Sequence, residues 1–289
     1  MATRRMNPPA PTRRRVLLGG AALSAFSALP LASCTTPQSN RPKQLFDAHC
    51  HIIDHRYPIV PNQGYTPPPY PLADYLRDTK PLGVSSGVVV SGSFHGFDQS
   101  YLRAVLPQLG SQWVGVTQVP NDIPDQELAA LAAIGVRGLR FNLFRGRIES
   151  VDEIVALARR AHAVARWHPE IYADAAALQP HVARLAKLPG LVIDHLGMTE
   201  QGLPVLLDLV DAGAKVKATG FGRVEMDVPR ALERIMARNP DALMFGTDLP
   251  STRAKRPFTP DDISLLERVL GLVLAGNALW SNGRAAYRL

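Results

Sequence analysis

Two histidines one residue apart stand in the segment Asp47-Ala48-His49-Cys50-His51. Successive side chains of an extended strand alternate between its faces. Asp47, His49 and His51 are therefore expected on one face and Cys50 on the other. Two imidazoles on one side of a strand can bind a metal ion or grip an oxyanion together. A third histidine ends the apolar run Val192-Ile193-Asp194-His195, and a carboxylate ends Met244-Phe245-Gly246-Thr247-Asp248. A positioned carboxylate can take a proton from water while histidines polarise a carbonyl. Asp248 is thus the general-base candidate, with His49, His51 and His195 as its catalytic partners. The same four side chains could instead form a mononuclear metal site with one position open for water.

The elements that must bring these residues together alternate along the chain. Short apolar or β-branched runs, each followed by an amphipathic stretch, predict strands over Leu45–His51, Gly87–Ser91, Trp113–Val119, Val136–Asn142, Glu170–Asp174, Leu191–His195, Ala214–Thr219 and Leu243–Asp248. Their continuous apolar character suits a parallel sheet buried on both faces. Val151–Arg166 and Pro229–Ala237 carry the clearest helical periodicity. Eight such units in residues 45–289 predict a single-domain (β/α)8 TIM barrel. A doubly wound sheet would call for a glycine-rich phosphate loop after its first strand, which this sequence lacks. The candidate residues fall at the C-terminal ends of strands, where barrel active sites form. In a closed barrel the eighth strand lies beside the first, which sets Asp248 next to His49 and His51. The six-proline insertion Arg56–Pro71 is expected over that face as a lid or rim.

The formal charge of +7 over 289 residues invites a nucleic-acid reading. Arg4, Arg5, Arg13, Arg14 and Arg15 lie in the first 33 residues, which hold no acid. The remainder has 27 basic and 25 acidic residues, so no polyanion-binding surface is implied. The leader itself, Thr12-Arg13-Arg14-Arg15-Val16-Leu17-Leu18 followed by the apolar run Gly19 to Leu31, resembles a twin-arginine export signal. Leu31-Ala32-Ser33-Cys34 matches a bacterial lipobox. The expected organisation is a cleaved signal over 1–33, a flexible tether over 34–44 beginning at lipidated Cys34, and the barrel over 45–289. The chain is then exported to the periplasmic or cell-envelope side and held to a membrane by its lipid. With Cys34 acylated, Cys50 is the only other thiol, so stability must come from the core rather than from a disulfide.

Asp47-x-His49-x-His51, Ile193-Asp194-His195-Leu196-Gly197 and Gly246-Thr247-Asp248 resemble the amidohydrolase superfamily. Gly138-Leu139-Arg140-Phe141-Asn142, Val216-Lys217-Ala218-Thr219-Gly220 with Arg223, and Asn282-Gly283-Arg284-Ala285-Ala286-Tyr287 are similar to its amidohydrolase-related branch of lactonases. The resemblance implies that Asp248 activates water, that His49, His51 and His195 surround a lactone carbonyl, and that Arg140 and Arg223, with Arg145 and Arg147, hold substrate carboxylates. Lys217, a cation on an otherwise apolar strand, joins the substrate-binding candidates, or pairs with Asp248 or another acid. The chain departs from the branch after its strand-8 aspartate, where Leu249-Pro250-Ser251 replaces Trp-Pro-His. The strand-5 segment Glu170-Ile171-Tyr172-Ala173-Asp174 offers no His or Lys to bridge two metals.

The expected activity is hydrolysis of a small carboxylated or polyhydroxylated lactone. No metal is obligatory on this reading, because Arg140, Lys217 and Arg223 can supply positive charge. A single zinc or manganese ion, if one binds, would take His49, His51, His195 and Asp248. A metal-dependent decarboxylase of the same superfamily and a non-catalytic anion-binding lipoprotein are the rival readings. The partner in every case is a small molecule.

Overall fold

The computed structural model describes residues 44–145 and 150–289. Eight parallel strands run β1 Leu45–Cys50, β2 Val84–Val90, β3 Trp113–Thr117, β4 Val136–Asn142, β5 His168–Tyr172, β6 Val192–Ile193, β7 Lys215–Ala218 and β8 Leu243–Phe245, each hydrogen-bonded to the next in sequence order. After each strand comes a helix: α1 Leu72–Thr79, α2 Ser100–Leu109, α3 Asp125–Ala133, α4 Val151–Ala165, α5 Val182–Leu185, α6 Leu203–Asp211, α7 Val228–Arg238 and α8 Asp261–Gly276. A ninth, α9 Asn282–Tyr287, ends the chain. This is the expected (β/α)8 barrel.

The helices begin and end where their sequences say they should. Ser150 accepts the Glu153 backbone N–H at 3.2 Å while the Glu153 carboxylate accepts the Ser150 N–H at 2.8 Å, a reciprocal cap that starts α4. Arg166, at φ +55°, turns the chain out of α4 into β5. Apolar side chains pack in two shells. Phe46, Ala48, Val88, Val90, Val114, Val116, Val192 and Met244 form one cluster, which fills the barrel and is stopped at the N-terminal end by Tyr287 of α9. Residues such as Val89, Leu139, Ile171 and Phe245 belong to a second, larger cluster that packs against the helices. Each fully buried Val, Leu, Ile, Phe or Met side chain contributes about 1.5–3 kcal/mol, and the one cysteine among the described residues, Cys50, is a free thiol.

Three expectations about the strands need correction, and each correction moves the site. A β-bulge interrupts β1: Asp47 pairs with Gly87 and Cys50 with Val89, so three steps on β1 match two on β2. Alternation breaks there. Asp47 therefore does not share a face with His49 and His51; its carboxylate accepts Tyr75 Oη of α1 at 2.8 Å. The fifth strand starts two residues early, at His168, and Glu170 sits in its middle rather than at its start. The sixth and eighth strands are shorter than expected because His195 (φ +50°) and Asp248 (φ +58°) leave the extended region. No ladder joins β8 to β1 among the described residues. The seam is closed just beyond β8, where Asp248 N–H donates to His49 O at 2.7 Å and His51 N–H to Leu249 O at 2.8 Å.

Candidate active site

His49, His51 and Asp248 stand on backbone that the seam and the bulge shape, and His195 on the turn after β6. Asp47 Oδ1 accepts the His49 N–H at 3.0 Å and the Thr247 N–H at 2.8 Å, and Oδ2 accepts the Thr247 hydroxyl at 2.6 Å. It fastens the first strand to the last and is itself fully buried. Gly246 is required by the same closure, because a Cβ there would lie 2.7 Å from the His49 nitrogen. Asp248 and His195 both sit in left-handed backbone, which costs a non-glycine residue of order 1–3 kcal/mol and persists where the surroundings demand it.

The result is a cluster around one carboxylate. Asp248 Oδ2 accepts Arg223 Nε at 2.9 Å and a second bond from Arg223 Nη2. Its Oδ1 is buried and, among the described residues, has no hydrogen-bond partner; it lies 3.9 Å from His49 Nε2 and 3.8 Å from His51 Nε2. Burial raises the Asp248 pKa above the ordinary aspartate value, and Arg223 restrains the rise. Burial depresses all three histidines well below the usual imidazole value, assisted most by Lys217 at His49, by Arg140 at His51 and by Arg223 at His195. They are neutral rings. His51 Nδ1 lies 2.7 Å from Val90 O; a carbonyl only accepts, so the proton is on Nδ1 and Nε2 is a bare acceptor. His49 Nδ1 stands between Lys217 Nζ at 3.3 Å, which only donates, and Asp194 Oδ1 at 3.5 Å, which only accepts. Its tautomer follows whichever neighbour it uses.

Beneath this cluster lies a buried charge network that the sequence shows only in fragments. Lys217 Nζ donates to Glu170 Oε2 at 2.5 Å and lies 3.4 Å from Asp194 Oδ1. Glu170 also accepts Tyr287 Oη at 2.5 Å and faces His168 Nε2 at 3.0 Å. Burial alone would raise the Glu170 and Asp194 pKa values, but Lys217 together with His168 at Glu170, and with His49 and Arg140 at Asp194, holds both below the ordinary range. Lys217 has no exposed surface and does not line the pocket. It carries the site from below.

The pocket is lined by His51, His195, Asp248, Arg140, Arg145 and Arg223, with Tyr65, Phe94, Asn142, Tyr172, Thr252 and Arg253. Arg140 pairs with Asp194 through Nη2 at 3.0 Å and donates Nη1 to Ser91 O at 2.9 Å. Arg140, Lys217 and Arg223 thus each hold a carboxylate, and their positive charge is largely spent inside the protein. Arg145 and Arg253 are different: among the described residues neither pairs with a carboxylate. Arg253 lies over the Tyr65 ring at 4.4 Å and donates to Asn62, and Asn62 in turn donates to Arg145 O at 2.9 Å. The insertion Arg56–Pro71 thus reaches the pocket as a rim, as its prolines suggested. Arg253 was missed because it sits in the segment after Asp248 where the resemblance stops; a cation three residues beyond cis Pro250 was its only mark. Arg147 and Cys34 lie outside the described residues.

His49, His195 and Asp248 can each offer one ligand atom within 4.8 Å of the others. His49 Nε2, His195 Nδ1 and Asp248 Oδ1 are all buried without a hydrogen-bond partner. Two imidazoles, one carboxylate and an open position suit a zinc or manganese ion, so the residues present fit one. His51 stands outside this group. An ion on His49 Nε2 would need the tautomer that donates Nδ1–H toward Asp194.

The sequence profile of the Amidohydrolase family matches residues 46–289. The chain belongs to that family. It is a hydrolase. It is 28% identical over 264 residues to the 2-pyrone-4,6-dicarboxylate hydrolase of Comamonas testosteroni, covering 82% of this chain and 86% of that one. It is 30% identical over 250 residues to the 4-sulfomuconolactone hydrolase of Rhizobium radiobacter, covering 79% and 83%. An apo crystal structure from Agrobacterium tumefaciens superposes with a TM-score of 0.74 at 26% identity, covering 86% of this chain and 97% of that one.

Proposed function

We propose that this amidohydrolase opens a small lactone that carries a carboxylate or another anionic group. The observation that carries the reading is the asymmetry of Asp248. One carboxylate oxygen is pinned by Arg223 while the other, partnerless, faces the histidines inside the pocket. Both named relatives act, by their names, on anionic lactones.

Asp248 Oδ1 takes a proton from a water that the bare Nε2 of His51 orients as acceptor. The water oxygen attacks the ring carbonyl and the π electrons move onto its oxygen. His51 cannot stabilise that oxyanion, since its only N–H is committed to Val90. The donor is His49 Nε2–H in the tautomer that accepts from Lys217. Collapse breaks the ring C–O bond, and the leaving oxygen recovers the proton from Asp248, giving the ring-opened acid. Arg145 and Arg253 receive the substrate's anionic group. The cavity is about 30 Å³, room for one or two waters, so the lactone enters as the Arg253–Asn62 clasp moves. His49 in its other tautomer, His195 and Asp248 would hold a divalent ion, which would supply Lewis acidity in place of the His49 N–H.

The localisation reading extends the proposal: the leader directs export and Cys34 carries lipid. Its support is the leader and lipobox pattern of the sequence.

Asp248→Asn tests the mechanism. It keeps an oxygen for Arg223 and removes the base, so turnover of a carboxylated lactone should fall by about 10³-fold or more, with an unchanged circular dichroism spectrum. A variant retaining the wild-type kcat would overturn the assignment.

A further inference from the structure

The N-terminal end of the barrel, opposite the active site, carries features that catalysis does not use. Leu272 and Val273 are 77% and 78% exposed, well beyond any other large apolar side chain among the described residues, the next being Val60 at 52%. They follow Gly271, whose φ of +70° breaks α8 and turns them outward. The helical stretch Asp261–Tyr287 is long and apolar enough to cross a bilayer, and 22% of its most apolar window is buried. Leu266, Ala275 and Tyr287 nevertheless anchor it in the fold, so it is a surface element. Beside it a groove of about 430 Å³ is lined by Leu272, Leu279, Trp280, Gln44 and Leu45, with one acid, Glu267, at its wall.

A basic rim adjoins the groove. Arg284 lies over the Trp280 ring at 4.8 Å and donates to Gln112, just before β3. Arg288 donates to Arg166 O at 2.6 Å, just before β5, and Arg137 stands at the start of β4. These four arginines, Arg137, Arg166, Arg284 and Arg288, share one end of the barrel, and the hydrogen bonds of Arg284 and Arg288 run to Gln112 and to the Arg166 carbonyl.

We infer that this end is a docking face for an anionic lipid surface, with Leu272 and Val273 inserting among the lipids and Arg137, Arg166, Arg284 and Arg288 meeting the headgroups. The place where the chain enters the barrel favours a membrane as the occupant. Gln44 and Leu45 line the groove, and Cys34 lies ten residues before Gln44, at most about 35 Å of extended chain. Clustered arginines beside a lipid anchor are the usual second signal that makes anchoring stable. In this orientation the active-site mouth opens away from the membrane. The choice of occupant rests on the proposed lipidation of Cys34, whereas the face itself rests on the exposed residues.

The test uses the full chain with Cys34→Ser, which removes the acyl acceptor, sedimented with vesicles of phosphatidylglycerol and phosphatidylcholine. Adding Leu272→Glu with Val273→Glu should weaken partition at least about tenfold. Adding Arg166→Gln with Arg288→Gln should weaken it by roughly fivefold per arginine, with less effect at high salt. Lactone turnover should be unchanged in both. Unchanged partition in both sets would assign any binding to the leader and overturn the proposal. Concentration-dependent dimers abolished by the two glutamates, without vesicle binding, would overturn it in favour of a second copy. Mass spectrometry of the Cys34 peptide from the wild-type chain tests lipidation separately, and an unmodified Cys34 leaves the vesicle result standing.

Discussion

Replacing His95 should flatten the acid side of the stability profile. His95 is fully buried, stacked on Tyr101 with ring centroids 3.9 Å apart. Its Nδ1 accepts the Gly92 N–H at 3.0 Å, so Nε2 carries the proton toward Ile52 O at 3.1 Å. Burial disfavours the charged ring, aided by Arg140, and lowers its pKa from 6.5 to about 3; protonating Nδ1 would also forfeit the Gly92 bond. Between those values the unfolded chain binds one more proton than the native protein at this position, so stability rises with pH. The stability His95 confers is complete above 6.5 and is lost as pH falls toward 3. The slope is about 1.4 kcal/mol per pH unit, so roughly 2 kcal/mol of the stability present at pH 7 is gone at pH 5. His95→Asn can keep an acceptor for Gly92 and cannot titrate. Urea unfolding at pH 7, 6, 5 and 4 should show the variant less stable at pH 7 but shallower in slope by about one proton between pH 6 and 4. Parallel slopes for the two proteins would refute the account of a neutral, burial-depressed ring.

Lys217→Met should destabilise the protein by about 3–5 kcal/mol in chemical denaturation, since it strands two buried carboxylates; adding Glu170→Gln should recover part of the loss, and additive losses would show that the pair is not coupled. Arg253→Gln should raise KM about tenfold for lactones bearing a carboxylate or sulfonate and leave neutral lactones unaffected, whereas equal losses on both would remove Arg253 from recognition. Equilibrium dialysis with zinc or manganese should saturate at one ion per chain, with His195→Ala abolishing binding and His51→Gln retaining it; two ions, or a requirement for His51, would contradict the ligand assignment.

The barrel was legible because its evidence is repetitive: eight apolar runs, each followed by a helical pattern, leave little room for another architecture. The side of the barrel was legible too: His49, His195 and Asp248 follow their apolar runs to one mouth, although β6 and β8 end two or three residues before His195 and Asp248. Facing was harder. Period-two alternation put Asp47 with the histidines, and only the pairing of Asp47 with Gly87 and Cys50 with Val89 exposes the bulge that turns it away. His168-Pro169 reads as a breaker, yet both residues belong to β5 and pair with Gly138 and Leu139. That shift hid Glu170 and hence the partner of Lys217. Charge accounting failed for a related reason. A sequence shows cations but not which acids they meet, so Arg140 and Arg223 were expected on substrate carboxylates, and Lys217 either there or on an unspecified acid. Once Asp194, Glu170 and Asp248 claim them, the expectation that they make a metal dispensable loses its support.

The seam between the last strand and the first has a meaning for the life of the protein as well as for its shape. Asp248 donates the hydrogen bond that closes the barrel and also presents the carboxylate that serves as base. A chain arrested with seven strands assembled and the eighth undocked would possess the histidines but no reactive group near them. Catalytic competence therefore requires the eighth strand to be docked, and turnover can serve as a reporter of a closed seam. Forms with the seam open would be inert.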